Sequence, residues 1–97
     1  MAGLNETIHQ PVRLRIMAVL VTLKKDESVD FSYLRDLLEV TDGNLGAHLR
    51  KLEESDFINI NKEFVDRKPR SFISVTTTGR LVFDEHVAAL ELILKNK

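Results

Sequence analysis

The apolar residues of this chain change their spacing twice, and that change constrains the fold more than any other feature. Between residues 11 and 55 they recur at helical intervals: Val12, Ile16, Val19, Leu20 and Leu23, then Leu34, Leu37 and Leu38, then Leu45, Leu49 and Leu52. From Phe57 the period drops to two. Ile58 and Ile60 alternate with Asn59 and Asn61, and Phe64 continues the even positions, as in a strand with one buried face. "VDRKPR" interrupts with charge and a proline, "SFISV" resumes the extended character, and after Thr76 the helical period returns. A two-stranded hairpin with a long, basic tip is therefore predicted between helices.

Local signals place the ends of the elements. Pro11 suits the first position of a helix over about 11–25, whose last turn carries Lys24 and Lys25. Leu4 and Ile8 before it are spaced for one helical turn. Val29 to Phe31 reads as a short extended piece, and Asp30 or Ser32 can cap the helix that follows. Thr41 can cap the next helix, with Asp42 favourable beside its N-terminus. Two short helices meeting at a tight turn give a helix-turn-helix over about 31–55, then a hairpin over about 57–75 and a last helix over about 77–95. The order is that of a winged helix: mainly α, one small β-hairpin, and additional terminal helices.

A chain of 97 residues is one small domain, with a core modest enough that pairing with a second copy is expected. It has no cysteine, so disulfides and cysteine-ligated metals are excluded. Its longest apolar run is too short to span a bilayer. The opening "MAGLNETIHQ" has no basic region followed by an apolar stretch, so no signal peptide is expected and the chain reads as cytoplasmic. The net charge is −1, which argues mildly against a general nucleic-acid binder. Any DNA interface must rest on local charge.

"QPVRLRIMAVL", "VTDGNLGAHLRKLEESDFINI" and "FVDRKPRSFISVTTTGR" together resemble the winged helix-turn-helix transcriptional regulators of the MarR/ArsR-like group, in a short-chain branch common in archaea and bacteria. The resemblance covers nearly the whole chain. It implies that the helix from Thr41 to Ser55 enters the DNA major groove. It also implies that the loop from Val65 to Arg70 reaches the neighbouring backbone or minor groove, and that terminal helices form a dimer.

The residues support that reading in their own right. With Leu45, Leu49 and Leu52 inward, Gly43, Ala47 and Arg50 point outward, Asn44, His48 and Lys51 lie on one flank, and Gly46 and Glu53 lie on the other. Asparagine can pair with adenine and alanine can touch a thymine methyl. Two glycines in a helix are costly and imply that another backbone comes close: either a neighbouring helix, for Gly46, or a nucleic acid. Thr41 either contacts phosphate or is a plain cap. In the hairpin, Lys62, Arg67, Lys68 and Arg70 outnumber Glu63 and Asp66, and Pro69 stiffens the tip. Arg13 and Arg15 either add backbone contacts or are exposed helix residues. On the last helix, Val82, Phe83, Val87, Leu90, Ile93 and Leu94 form a broad apolar face that can pair with its copy, with Leu4 and Ile8 filling in. Such a dimer would set two recognition helices roughly 34 Å apart on a pseudo-palindromic site.

Other chemistries find little support. Glu53, Glu54 and Asp56 diverge around a helix with no acid–base partner beside them, and His9, His48 and His86 are scattered. No phosphate-binding glycine loop and no nucleophile–base motif occurs. No enzyme, metal or cofactor is expected, and no small-molecule effector is evident. The expected partners are double-stranded DNA and a second copy, for a regulator that represses by occupying a promoter. The alternative is a winged-helix module that docks on another protein without reading DNA.

Overall fold

The computed structural model describes residues 3–96. Five helices surround a three-stranded antiparallel sheet. The order is α1 (Glu6–His9), α2 (Pro11–Leu20), β1 (Val29–Asp30), α3 (Phe31–Leu38), α4 (Asp42–Glu54), β2 (Ile58–Val65), β3 (Lys68–Val75) and α5 (Thr77–Lys95). The strand order β1-β3-β2 makes the short extended piece a true strand, paired Val29 to Ile73 and Asp30 to Phe72. The winged-helix arrangement expected from the change of period is the fold observed. No helix among the described residues is long and apolar enough to cross a membrane.

The core is the set of residues the helical and strand periods point inward. Ile16, Met17 and Leu20 of α2 meet Leu34 and Leu38 of α3, Leu45, Leu49 and Leu52 of α4, and Phe57, Ile58 and Ile73 at the base of the hairpin. Asp30 wins the capping role at α3: its Oδ2 accepts from the Ser32 and Tyr33 N–H groups at 3.1 and 3.3 Å. The turn between α3 and α4 places Glu39 at φ 55° and returns the Val40 N–H to the Arg35 carbonyl, at 3.3 Å. That is the geometry of a left-handed helix stop without the usual glycine.

Three sequence expectations need correction. The first long helix ends at Leu20 rather than near residue 25. Thr22 and Leu23 donate to carbonyls only three residues back, and the Thr22 hydroxyl also takes the Val19 carbonyl at 2.6 Å, so the chain tightens and leaves the helix. Arg80 of α5 then occupies the freed Val21 carbonyl, at 3.0 Å, and that of Leu23. The hairpin has no long tip: Val65 pairs with Lys68 across the two residues Asp66 and Arg67, at φ 52° and 66°. Positive φ at both positions is the hairpin turn whose twist matches its strands. Finally, Phe64 lies on the predicted face but is 80% exposed, because the core ends at Ile60 and the strands run on beyond it.

The apolar face of α5 divides. Val82 and Phe83 pack on the chain's own core, and His86 is fully buried. Ile8, expected at a dimer seam, is also fully buried within the chain and has no surface left to offer a partner. The sequence pattern could not separate these from the outer residues because both sets share one wide stripe. Leu4, Leu81, Leu92, Ile93 and Leu94 remain exposed, while Val87 and Leu90 are half-buried. Asn5, just ahead of α1, is held on α5 through His86, whose Nδ1 accepts the Asn5 N–H at 2.9 Å. That bond leaves the proton on Nε2, which faces His9 Nδ1 at 3.3 Å. Burial first, then the neighbouring His9, holds His86 below the usual imidazole range.

Candidate nucleic-acid interface

Helix α4 is anchored from within and bare outside. Thr41 caps it, its hydroxyl accepting the Asn44 N–H at 3.1 Å. Asp42, in the first turn, is held by Arg35 Nη1 at 2.8 Å, and Arg35 also grips Asp36 at 2.9 Å. Arg35 therefore ties the two helices of the helix-turn-helix together and neutralises the carboxylate at the leading end of α4. The Asp42 and Gly43 N–H groups have no acceptor among the described residues, leaving the positive end of the helix open. Gly43, Asn44, Ala47, Arg50 and Lys51 are exposed, as is Thr41.

The two glycines are not packing devices. A Cβ added at Gly43 or Gly46 would meet nothing within 4 Å. The neighbouring-helix explanation for Gly46 is thereby removed. Gly46 instead lines a groove of about 700 Å³ between α4 and the sheet, walled by Arg50 and Glu53 on one side and Ile60, Lys62 and Ser71 on the other.

His48 differs from Asn44 and Lys51, the exposed residues of its flank. It is half-buried, and its Nδ1 lies 3.2 Å from Arg13 Nη1. Guanidinium only donates, so this Nδ1 accepts and the ring hydrogen sits on Nε2. Burial, then the Arg13 charge, holds His48 below the usual imidazole range. Arg13 also donates to the Thr7 carbonyl, joining α1, α2 and α4. Arg15 donates to the Leu38 carbonyl at the end of α3, at 3.0 Å. Arg13, half-buried, is thus a brace within the fold, while Arg15 is the exposed helix residue that one expectation allowed, though it too braces α2 against the end of α3.

The same sorting runs through the chain. Arg13, Arg15, Arg35 and Arg80 are engaged inside the molecule, and Arg70 leans 3.7 Å from Asp30. Among the described residues, Arg50, Lys51, Lys62, Arg67 and Lys68 on α4 and the hairpin have no side-chain partner, and neither do Lys24, Lys25 and Lys95 elsewhere. Glu53, Glu54, Glu63 and Asp66 on the same two elements are also unpaired, so the free cations there exceed the free carboxylates by only one. Pairing across the hairpin puts Lys62 opposite Ser71 on the face that looks toward α4, and Glu63 opposite Arg70 on the other face. Pro69 is accommodated because β1 reaches only Ile73 and Phe72, leaving β3 with a free edge farther out.

Arg35 and Arg80 were not legible as functional or structural anchors. Their partners lie across a turn or 57–59 residues away, where no helical or strand spacing points. No three His, Asp or Glu side chains among the described residues gather as a metal would require.

Known proteins share this geometry. Residues 12–94 match the model of a family described as winged helix DNA-binding domain. An uncharacterized protein of Methanocaldococcus jannaschii is 36% identical over 85 residues, covering 88% of this chain and 89% of the relative. A transcriptional regulator homologue of Pyrococcus horikoshii superposes with a TM-score of 0.85 at 28% identity, over 95% of this chain and 88% of the other. A structure from Enterococcus faecalis, described as a transcriptional regulator of the MarR family, gives a TM-score of 0.76 at 19% identity, over 92% and 77% of the two chains, which is a likeness of fold. The chain belongs to the winged helix DNA-binding domain family and has the fold of MarR-type transcriptional regulators.

Proposed function

We propose that this chain is a dimeric regulator of transcription that reads a pseudo-palindromic operator and represses by occupying it. The observation that carries the reading is the outer face of α4: an uncrowded leading end, Gly43 with open space before it, and exposed Asn44, Ala47, Arg50 and Lys51 with no side-chain partner in the chain, with Gly46 open on the groove side. Asn44 and Ala47 are placed to meet base edges, and Arg50 and Lys51 to meet bases or phosphates. Lys62, Arg67 and Lys68 would hold the flanking backbone from the hairpin, here the wing. Arg70 contributes less, because Asp30 already competes for it.

The second copy is proposed to dock along the outer stripe of α5. Ile93 and Leu94 are exposed there, with Val87 and Leu90 partly so, an apolar patch that water solvates poorly, while Leu81 and Leu92 lie on the opposite flank of the helix. Val82, Phe83 and Ile8 support that helix from beneath rather than forming the seam.

The test is affinity for a genomic fragment recovered by selection, measured across salt concentrations. Four to six phosphate contacts per dimer give a log–log slope of roughly −4 to −5. Reversing the charges of Arg67 and Lys68 should weaken every fragment alike, and Asn44→Ala should weaken the selected site preferentially. A fragment bound with no salt dependence, or no fragment bound at all, overturns the reading in favour of a protein-docking module. Replacing Ile93 and Leu94 by glutamate should yield monomers in sedimentation.

A further inference from the structure

Phe64 stands apart from the other phenylalanines of the chain, and is more exposed than Tyr33, at 57%. Phe57 is buried, and Phe31, Phe72 and Phe83 are part-buried, whereas Phe64 is 80% exposed near the end of the wing. Its ring supports nothing in the fold. Its position is nevertheless tightly set. The register places it directly opposite Pro69, whose ring fixes the local backbone, one residue pair from the Asp66–Arg67 turn. Strand alternation puts Phe64 on the same face as Ile60 and Lys62, the face that shares a groove with Gly46 and Arg50 of α4. Lys62 shares that face, Arg67 stands in the turn and Lys68, opposite Val65, lies on the other face, none with a side-chain partner.

An exposed aromatic ring on a hairpin that also carries free cations fits a polyanion whose interior presents flat apolar faces. Double-stranded DNA has that chemistry: phosphates for the cations, and a base step for the ring. The side of the wing that carries the ring also faces the helix proposed to occupy the major groove. We propose that Phe64 is a minor-groove wedge, which presses on a base step flanking the site read by α4 and partly unstacks it. The inference rests on the DNA-binding reading above. It adds a source of specificity at positions no polar group touches, because pyrimidine–purine steps open more readily than others.

The experiment uses the full chain and its selected fragment, with 2-aminopurine placed in turn at flanking steps. Wild-type binding should raise aminopurine emission at one step on each side. Phe64→Ala should lower affinity about tenfold or more, leave the salt slope unchanged and abolish that rise. Its urea midpoint should match wild type, since the ring is solvent-exposed. The chain contains no tryptophan, so Phe64→Trp supplies a single reporter whose emission should be quenched on the fragment. If wild type binds but Phe64→Ala binds equally and the tryptophan is unmoved, the wedge is wrong and the DNA reading stands. Quenching without any aminopurine rise also overturns the wedge, leaving plain groove contact. If wild type binds no fragment, both readings fall together.

Discussion

Replacing both glycines of α4 by alanine separates what the fold needs from what the proposed function needs. A methyl at either position meets nothing within 4 Å, so neither change carries a steric cost in the free protein. Gly46 lies in the helix interior, where alanine is favoured by about 0.8–1 kcal/mol. Gly43 is the second helical residue, where the gain is smaller, about 0.5 kcal/mol. The sum, about 1.4 kcal/mol, raises the melting temperature of a domain this size by roughly 6–8 °C. Both proteins must be melted at equal concentration, because association shifts the midpoint. The added carbons stand about 1.5 Å outside the present surface. If the duplex seats against this face, that displacement should cost tenfold or more in operator affinity. A melting temperature that fails to rise refutes the open-space geometry. A rise with unchanged affinity refutes the account of why the glycines are there.

Gly79 should behave oppositely. A Cβ there would lie 2.1 Å from the Phe57 carbonyl oxygen, which accepts the Thr76 N–H at 3.0 Å, so Gly79→Ala should destabilise by about 1–3 kcal/mol in urea titration. Thr41→Ala removes the α4 cap and should cost about 1 kcal/mol by the same measurement, with a further loss of affinity only if the hydroxyl also meets phosphate. Acidification should weaken the fold through His86. The unfolded chain takes a proton near the ordinary value of about 6.5, but the folded chain takes it only at lower pH. The unfolded state therefore binds the extra proton in that window, and stability is full above it and lost as pH falls. Urea midpoints at pH 8 and pH 5.5 should show the loss, and His86→Gln should reduce it.

The elements were readable because their spacing is a local property of the chain. Leu45, Leu49 and Leu52 specify which side of α4 is inward, and with it which residues face out, before any partner is known. Pro11, Thr41 and Thr76 mark helix starts through bonds or ring constraints within one turn. The outward set at α4 was accordingly legible, except His48, which lies on the flank where Arg13 arrives from another helix. The end of the first helix was not legible, since Leu23 continues the apolar stripe past the point where the backbone departs.

What the sequence by itself determined, then, was the order and the inner face of each element, because a period acts between neighbours. Only the tertiary structure decided how the charges divide. Arginines of identical composition became braces or free cations according to which carbonyls and carboxylates the fold brought within 3 to 4 Å of them. The same holds for the apolar residues. Ile8 and Phe64 both obey the spacing of their elements, yet one is sealed in the core and the other stands in solvent. Alternation gives the direction a side chain points, whereas burial depends on whether anything is there to meet it.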